Sequence, residues 1–245
     1  MFEILLTAAI LSLLPAAAAL TGLFLRQIRI KAFLKGALLS YTFTHLFVSF
    51  ALFAITRFSF ASAAWFAPLS ALVYGTVWLA CLHFSVTKVL RPEEIRDAAW
   101  GFGVLWSLPA LQSCFTNLVV FDHLRIGDAA YLRETLGFSA SQIQSLSQSF
   151  ASGNEGFYLI SGFIALAGFI TFLSALKLVS TTRTKKELLP ALVLLSLCGY
   201  IQLSGSGAPL TSALLMGFIL LLAIGTHGPL SLKRPRQALT KIAHS

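Results

Sequence analysis

Carboxylates are scarce in this chain: nine aspartates and glutamates stand among 245 residues, and charged residues of both signs make up only 11%. Each acidic residue, from Glu3 through Glu187, falls in a loop or at the end of an apolar block. Proton-coupled transport and aspartyl or glutamyl intramembrane proteolysis therefore lack their usual material. Cysteine is equally sparse. Cys81, Cys114 and Cys198 lie far apart without metal or redox spacing and read as small apolar packing residues. The sequence contains no H-E-x-x-H or other zinc pattern, so neither a metal nor another cofactor is expected. It also has no evident internal repeat and no N-x-S/T sequon.

What the chain has in excess is hydrocarbon: 57% of its residues are hydrophobic and its mean hydropathy is +0.82, whereas a soluble domain is about one-quarter charged. The apolar residues gather into blocks over about 3–25, 36–56, 63–87, 98–121, 157–178, 188–204 and 208–226. Such lengths match the roughly 20 residues a helix needs to cross about 30 Å of hydrocarbon. The blocks lack the alternation of a barrel strand, and an isolated strand would leave its backbone unpaired in lipid. The expected fold is all-α: one polytopic domain of seven transmembrane helices.

Charge gives an independent reading of the same layout. All but Arg57, Arg125 and Arg133 of the 18 lysines and arginines follow the first, third or fifth block or lie in the tail at 227–245. Short cytoplasmic loops carry such positive charge, so the N-terminus is expected outside and the C-terminus in the cytoplasm, and the missing sequon is consistent with a bacterial cytoplasmic (inner) membrane. The net charge of +9 is split among short loops beside membrane ends. It reads as topology and attraction to anionic lipid headgroups, not as a nucleic-acid surface. The opening MFEILLTAAILSLLPAAAAL carries Glu3 and no basic residue before its apolar core, which fits a retained anchor better than a cleaved signal peptide.

Polar residues inside the blocks locate the candidate sites. At 100° per residue Gln112, Ser113, Thr116 and Asn117 share an arc of about 140° on the fourth span, about 20 Å from its cytoplasmic start. Pro109, a turn earlier, frees the carbonyl of Leu105 and predicts a kink, with Ser107 placed to help satisfy that carbonyl. Tyr200 and Gln202 on the sixth span, the SGSGAPLTS turn (204–212), and Tyr158 and Ser161 on the fifth approach the same outer level. Two readings stay open. These groups are glue between helices, each contact contributing about 0.6 kcal/mol, or they line an outward-facing pocket for another membrane protein or an amphiphilic ligand. A solute facilitator would use the same pocket with His45 as its floor, and a lipid-modifying enzyme, the third alternative, would use His45 or the loop residues Asp122 and His123. On the second span Thr42, His45 and Ser49 fall within about 60°, and His45 lies ~14 Å from the inner end. An imidazole bonded to a neighbouring hydroxyl is one expectation for it, and ligand binding or proton transfer the other. His83 reads as interfacial. Ala63, Ala67, Ala71 and Gly75 form a small-residue seam.

The long loop at 122–156 is expected outside, with Ser139 and Gln142 as a capping box before an apolar stripe of Ile143, Leu146 and Phe150. That stripe reads as packing on the bundle or as a lid over the polar face. Several catalytic classes fall on geometry. Ser206 and His227 are ~30 Å apart along a helix, too far for a rhomboid-type dyad. The last span has no lysine for a retinal Schiff base.

The phrases KAFLKGAL (31–38), GFGVLWSLPAL (101–111) and GFYLISGFIAL (156–166) open the second, fourth and fifth spans, a layout that resembles the YhfC family of proposed intramembrane proteases. The resemblance covers most of the chain as a hydropathy pattern. It implies a shared seven-span arrangement. The family's paired glutamates and intramembrane histidines have no counterparts here, because the third span reads WLACLHFSVTKVL and the fourth has no histidine. The resemblance therefore implies a member without that chemistry, and no catalytic residue carries over.

Reporter fusions test the topology. Fusions within 122–156 should report outside and fusions to the tail should report cytoplasm; the reverse pattern would refute the assigned orientation.

Overall fold

The computed structural model describes residues 1–57, 66–151, 155–181 and 188–204. The described residues are helical, with no strand among them. The helices are α1 (Phe2–Phe24), α2 (Ile30–Thr42), α3 (Ser49–Arg57), α4 (Phe66–Phe84), α5 (Ile95–Arg125), α6 (Ala129–Glu134), α7 (Ala140–Ala151), α8 (Glu155–Thr181) and α9 (Leu189–Ser204). A π-turn at Phe43–Val48 joins α2 to α3, and a second at Ser85–Val89 ends α4. Five helical segments are long and apolar enough to cross a membrane: Phe2–Phe24, Ile30–Ile55, Phe66–Val89, Ile95–Arg125 and Tyr158–Thr181. The sixth expected block forms the shorter apolar helix α9. The seventh, at 208–226, lies outside the described residues, as do most of the SGSGAPLTS turn and Ala63.

Helix α8 packs against α1, α5 and α9, while α5 also packs on α1 and α2, and α4 lies along α9. Small residues allow these approaches. Ala32, Gly36 and Ser40 recur every four residues on the buried face of α2. A Cβ added to Gly36 would collide with the Ala98 carbonyl, and one added to Gly101 with the Phe33 carbonyl. Backbone thus meets backbone where α2 crosses α5. This is the small-xxx-small packing that replaces a hydrophobic driving force in lipid. The seam expected on the third span has the same character. Ala71 and Gly75 are buried, and Gly75 seats Ser196 of α9.

Charge fixes the basic end of this crossing. The Asp97 side chain is 3% exposed. It accepts hydrogen bonds from Arg29 Nε at 2.7 Å, from the Arg29 backbone N–H at 3.3 Å, and from Nε and Nη2 of Arg96 at 3.1 and 3.0 Å. Arg96 Nη2 also donates to the Gln27 carbonyl at 2.7 Å. The α1–α2 turn, which contains Arg26 at φ 54°, is tied in this way to the first turn of α5. Lys35 and Glu94 pair beside it at 2.9 Å, and the Lys35 hydrogen bond holds the Glu94 carboxyl below its ordinary range.

At the opposite end α6 and α7 close over α1, α5 and α8. The expected capping box is present, with Ser139 N–H donating to Gln142 Oε1 at 2.8 Å and Gln142 N–H donating to Ser139 Oγ at 3.3 Å. Ile143 and Phe150 are buried and Leu146 partly so, in a cluster with Leu5, Val120, Leu132 and Tyr158. The stripe therefore rests on the bundle. Phe150 sits 5.3 Å from the Phe121 ring and 5.2 Å from the Tyr158 ring.

Replacing Gly36 or Gly101 with valine should destabilise the protein by about 1–3 kcal/mol through overpacking, read as a lower unfolding midpoint in detergent. Gly156→Ala, with nothing within 4 Å of its added Cβ, should not lower that midpoint.

Candidate functional site: a cleft between α2–α3 and α5

The close approach of α2 and α5 ends near Thr42, and beyond it the two helices separate. Bulky side chains enter there. Phe43 stacks on Phe102 at 6.3 Å, and Trp78 and Trp106 flank Phe172 at 4.6 and 5.5 Å. Gly168 leaves the room in which the Trp106 ring lies. Above this aromatic layer a cleft of about 590 Å³ opens. Tyr41, Thr44, His45, Val48, Ser49 and Leu52 line one wall; Leu105, Trp106, Leu108, Pro109 and Gln112 line the other, with Tyr74 of α4 contributing from its own helix.

Each wall contains a departure from α-helical geometry. On one side the π-turn at Phe43–Val48 inserts an extra residue and turns Thr44, His45, Val48 and Ser49 toward the cleft. On the other, Pro109 removes the N–H that would bond to the Leu105 carbonyl, and both residues line the cleft. α5 nevertheless continues helically through Pro109. Ser107 does not serve Leu105 as expected; its hydroxyl donates to the Val104 carbonyl at 2.7 Å.

The sequence-predicted site residues divide. Gln112 and His45, 67 positions apart on different helices and both exposed, line the same cleft. Ser113 and Thr116 are exposed and Asn117 half-buried, and none of the three lines it. They share the Gln112 arc of α5 but are not among the residues that line the cleft. Tyr200 is half-buried on α9 and does not line the cleft, and the Gln202 side chain lies outside the described residues. Of the sixth-span residues expected at the Gln112 level, Tyr200 thus lies apart from this cleft. Thr42 donates to the Leu38 carbonyl and does not line the cleft, because the π-turn breaks the regular arc it was expected to share with His45 and Ser49. His45 meets the Tyr41 ring at 4.3 Å, and among the described residues it has no bond to the hydroxyl on a neighbouring helix that was one expectation. His83 is exposed near the basic end of α4.

Tyr74 and Trp106 are functional candidates that sequence reasoning missed. Trp106 Nε1 donates to the Tyr74 hydroxyl at 2.6 Å, with both side chains buried. An indole nitrogen only donates, so the tyrosine oxygen accepts and its own proton is left for another acceptor. The cleft thus offers the Tyr74 O–H, the Gln112 amide and the His45 ring among apolar walls. No residue lining it is a carboxylate, lysine or arginine. Such a surface suits a neutral molecule carrying one or two hydrogen-bonding groups.

Comparison with known proteins finds no matching family model, no matching curated protein and no matching solved structure.

Tyr74→Phe would leave the buried Trp106 N–H without its acceptor. It should cost about 1–3 kcal/mol of stability and shift tryptophan emission, whereas a Tyr41→Phe change on the exposed rim should do neither.

Proposed function

We propose that this chain is a multi-pass membrane protein that binds an uncharged amphiphile within the bilayer, in the cleft between α2–α3 and α5. The observation that carries the reading is that His45 and Gln112, on different helices, line the same cleft. Counting 1.5 Å per residue, His45 lies ~22 Å from the start of α2 and Gln112 ~25 Å from the start of α5, so the two are at one depth. Tyr41, half-exposed on the rim, and Leu52 and Leu108 provide apolar contacts for a hydrocarbon segment. Intramembrane polar groups gathered in this way are a binding hypothesis by default, and a mostly apolar cleft with a few converging polar groups is the usual form of a small-molecule site.

Binding is favoured over passage of a solute because the cleft ends at the aromatic layer. Below that layer α2 and α5 meet backbone to backbone at Gly36–Ala98 and Gly101–Phe33. A route through would require that crossing to part. Our reading keeps seven crossings with the basic loops on the cytoplasmic side of a bacterial inner membrane, so the cleft spans the middle of the bilayer and reaches its outer half at Gln112. It does not draw on kinship with the YhfC family, since the cleft supplies hydrogen bonds and apolar surface but no carboxylate.

A photoreactive long-chain alcohol added to the purified protein tests the reading. Labelling should map to peptides containing residues 41–52 and 105–112. His45→Leu and Gln112→Leu should each weaken retention by about fivefold, equivalent to roughly 1 kcal/mol for one hydrogen bond. Ser113→Leu and Thr116→Leu, on the same helix outside the cleft, should leave it unchanged. Equal loss from the two pairs, or labelling confined to other peptides, would refute the proposal.

A further inference from the structure

The opposite, basic end of the bundle encloses a second groove, of about 510 Å³, between the end of α1 and the start of α5. Ala18, Gly22, Ile28 and Trp100 form its apolar wall, and Thr21, Gln27 and Arg96 its polar lip. Arg96 does not hang freely over this groove, because Asp97 and the Gln27 carbonyl hold it in place. The same buried carboxylate holds Arg29. Two guanidinium groups thus share one carboxylate, which leaves a net positive charge on side chains that are 49% and 42% exposed. The bonds named use Nε of Arg29, and Nε and Nη2 of Arg96. Among the described residues the Nη groups of Arg29 and Nη1 of Arg96 have no hydrogen-bond acceptor. Glu94, the nearest other acid in sequence on the α5 side, is paired with Lys35.

We propose that this groove is a site for an anionic phospholipid, with Arg96 on the phosphate oxygens, Arg29 adding positive charge beside it through their shared Asp97, and an acyl chain along Ala18, Gly22 and Trp100. The guanidinium fork matches phosphate geometry in a way a lysine cannot. Basic pockets between helices, edged by an interfacial tryptophan, are where anionic headgroups bind. The apolar wall is what distinguishes a lipid from free phosphate as the occupant. Asp97 is a positioning residue here: it orients both arginines and does not touch the lipid. The site is separate from the His45–Gln112 cleft, and neither proposal depends on the other.

The test uses the full chain in neutral detergent, titrated with phosphatidylglycerol, phosphatidylcholine or inorganic phosphate, with bound lipid read by native mass spectrometry and stability by thermal unfolding. Phosphatidylglycerol should be retained and should raise the unfolding midpoint; phosphatidylcholine and inorganic phosphate at equal concentration should not. Asp97→Asn makes this end more positive, so diffuse attraction would strengthen phosphatidylglycerol binding. A built site predicts at least a tenfold loss. Arg96→Lys keeps the charge and should also lose about tenfold, which covers the case in which Asp97→Asn does not fold. Lys88→Gln, a charge removed at the same end outside the groove, should change binding by less than twofold. Tighter binding by Asp97→Asn, unchanged binding by Arg96→Lys, an equal loss in Lys88→Gln, or equal stabilisation by phosphatidylcholine or inorganic phosphate would each overturn the assignment.

Discussion

The rest of the structure depends on the buried carboxylate of Asp97. A charge taken from water is tolerated only when paired and hydrogen-bonded, and removing one partner from such a pair typically costs 3–5 kcal/mol. Asp97 meets that demand by drawing in two arginines and a backbone N–H. In doing so it fixes the height at which the α1–α2 turn meets α5. Gly36 then falls opposite Ala98, the residue after Asp97, and Gly101 opposite Phe33. Without that register the small faces would not coincide, and larger side chains would hold the helices apart from the start.

The cleft follows from the same constraint. Two helices held close at one end and carrying Phe43, Phe102 and Trp106 above the contact cannot remain close along their whole length. The gap is deepened by a π-turn on one side and a proline on the other, both of which free backbone or redirect side chains. π-turns occur often at functional sites because the inserted residue changes which groups face a neighbour. Here it brings forward Thr44 and His45. The aromatic layer then closes the floor, where the Trp106–Tyr74 hydrogen bond satisfies an indole that would otherwise be orphaned.

Much of the architecture was legible in the sequence. Length and hydropathy locate the five long apolar helices, and the Ser139/Gln142 cap and its stripe behave as their spacing predicts. Gln112 and His45 were identifiable because amides and imidazoles are rare inside apolar blocks. That both line one cleft was not legible, since periodicity ranks residues around one helix but says nothing about which helix stands opposite. Ser113, Thr116 and Asn117 share the Gln112 arc, yet only Gln112 lines the cleft. Asp97 read as an ordinary span-edge charge because its burial arises from the α1–α2 turn folding back onto it. Tyr74 and Trp106 gave no signal apart from that of two aromatics among many in a membrane protein.

The π-turn at Phe43–Val48 also separates two stretches that look continuous in a hydropathy plot. Its additional residue shifts the phase of α3 against α2 by about 100°, the arc of one helical step. The side of Ser49–Arg57 presented to its neighbours is consequently set by the length of this insertion, independently of the interlocked glycines below. Evolution could re-aim the upper half of that span by gaining or losing a single codon, while leaving the lower half in place.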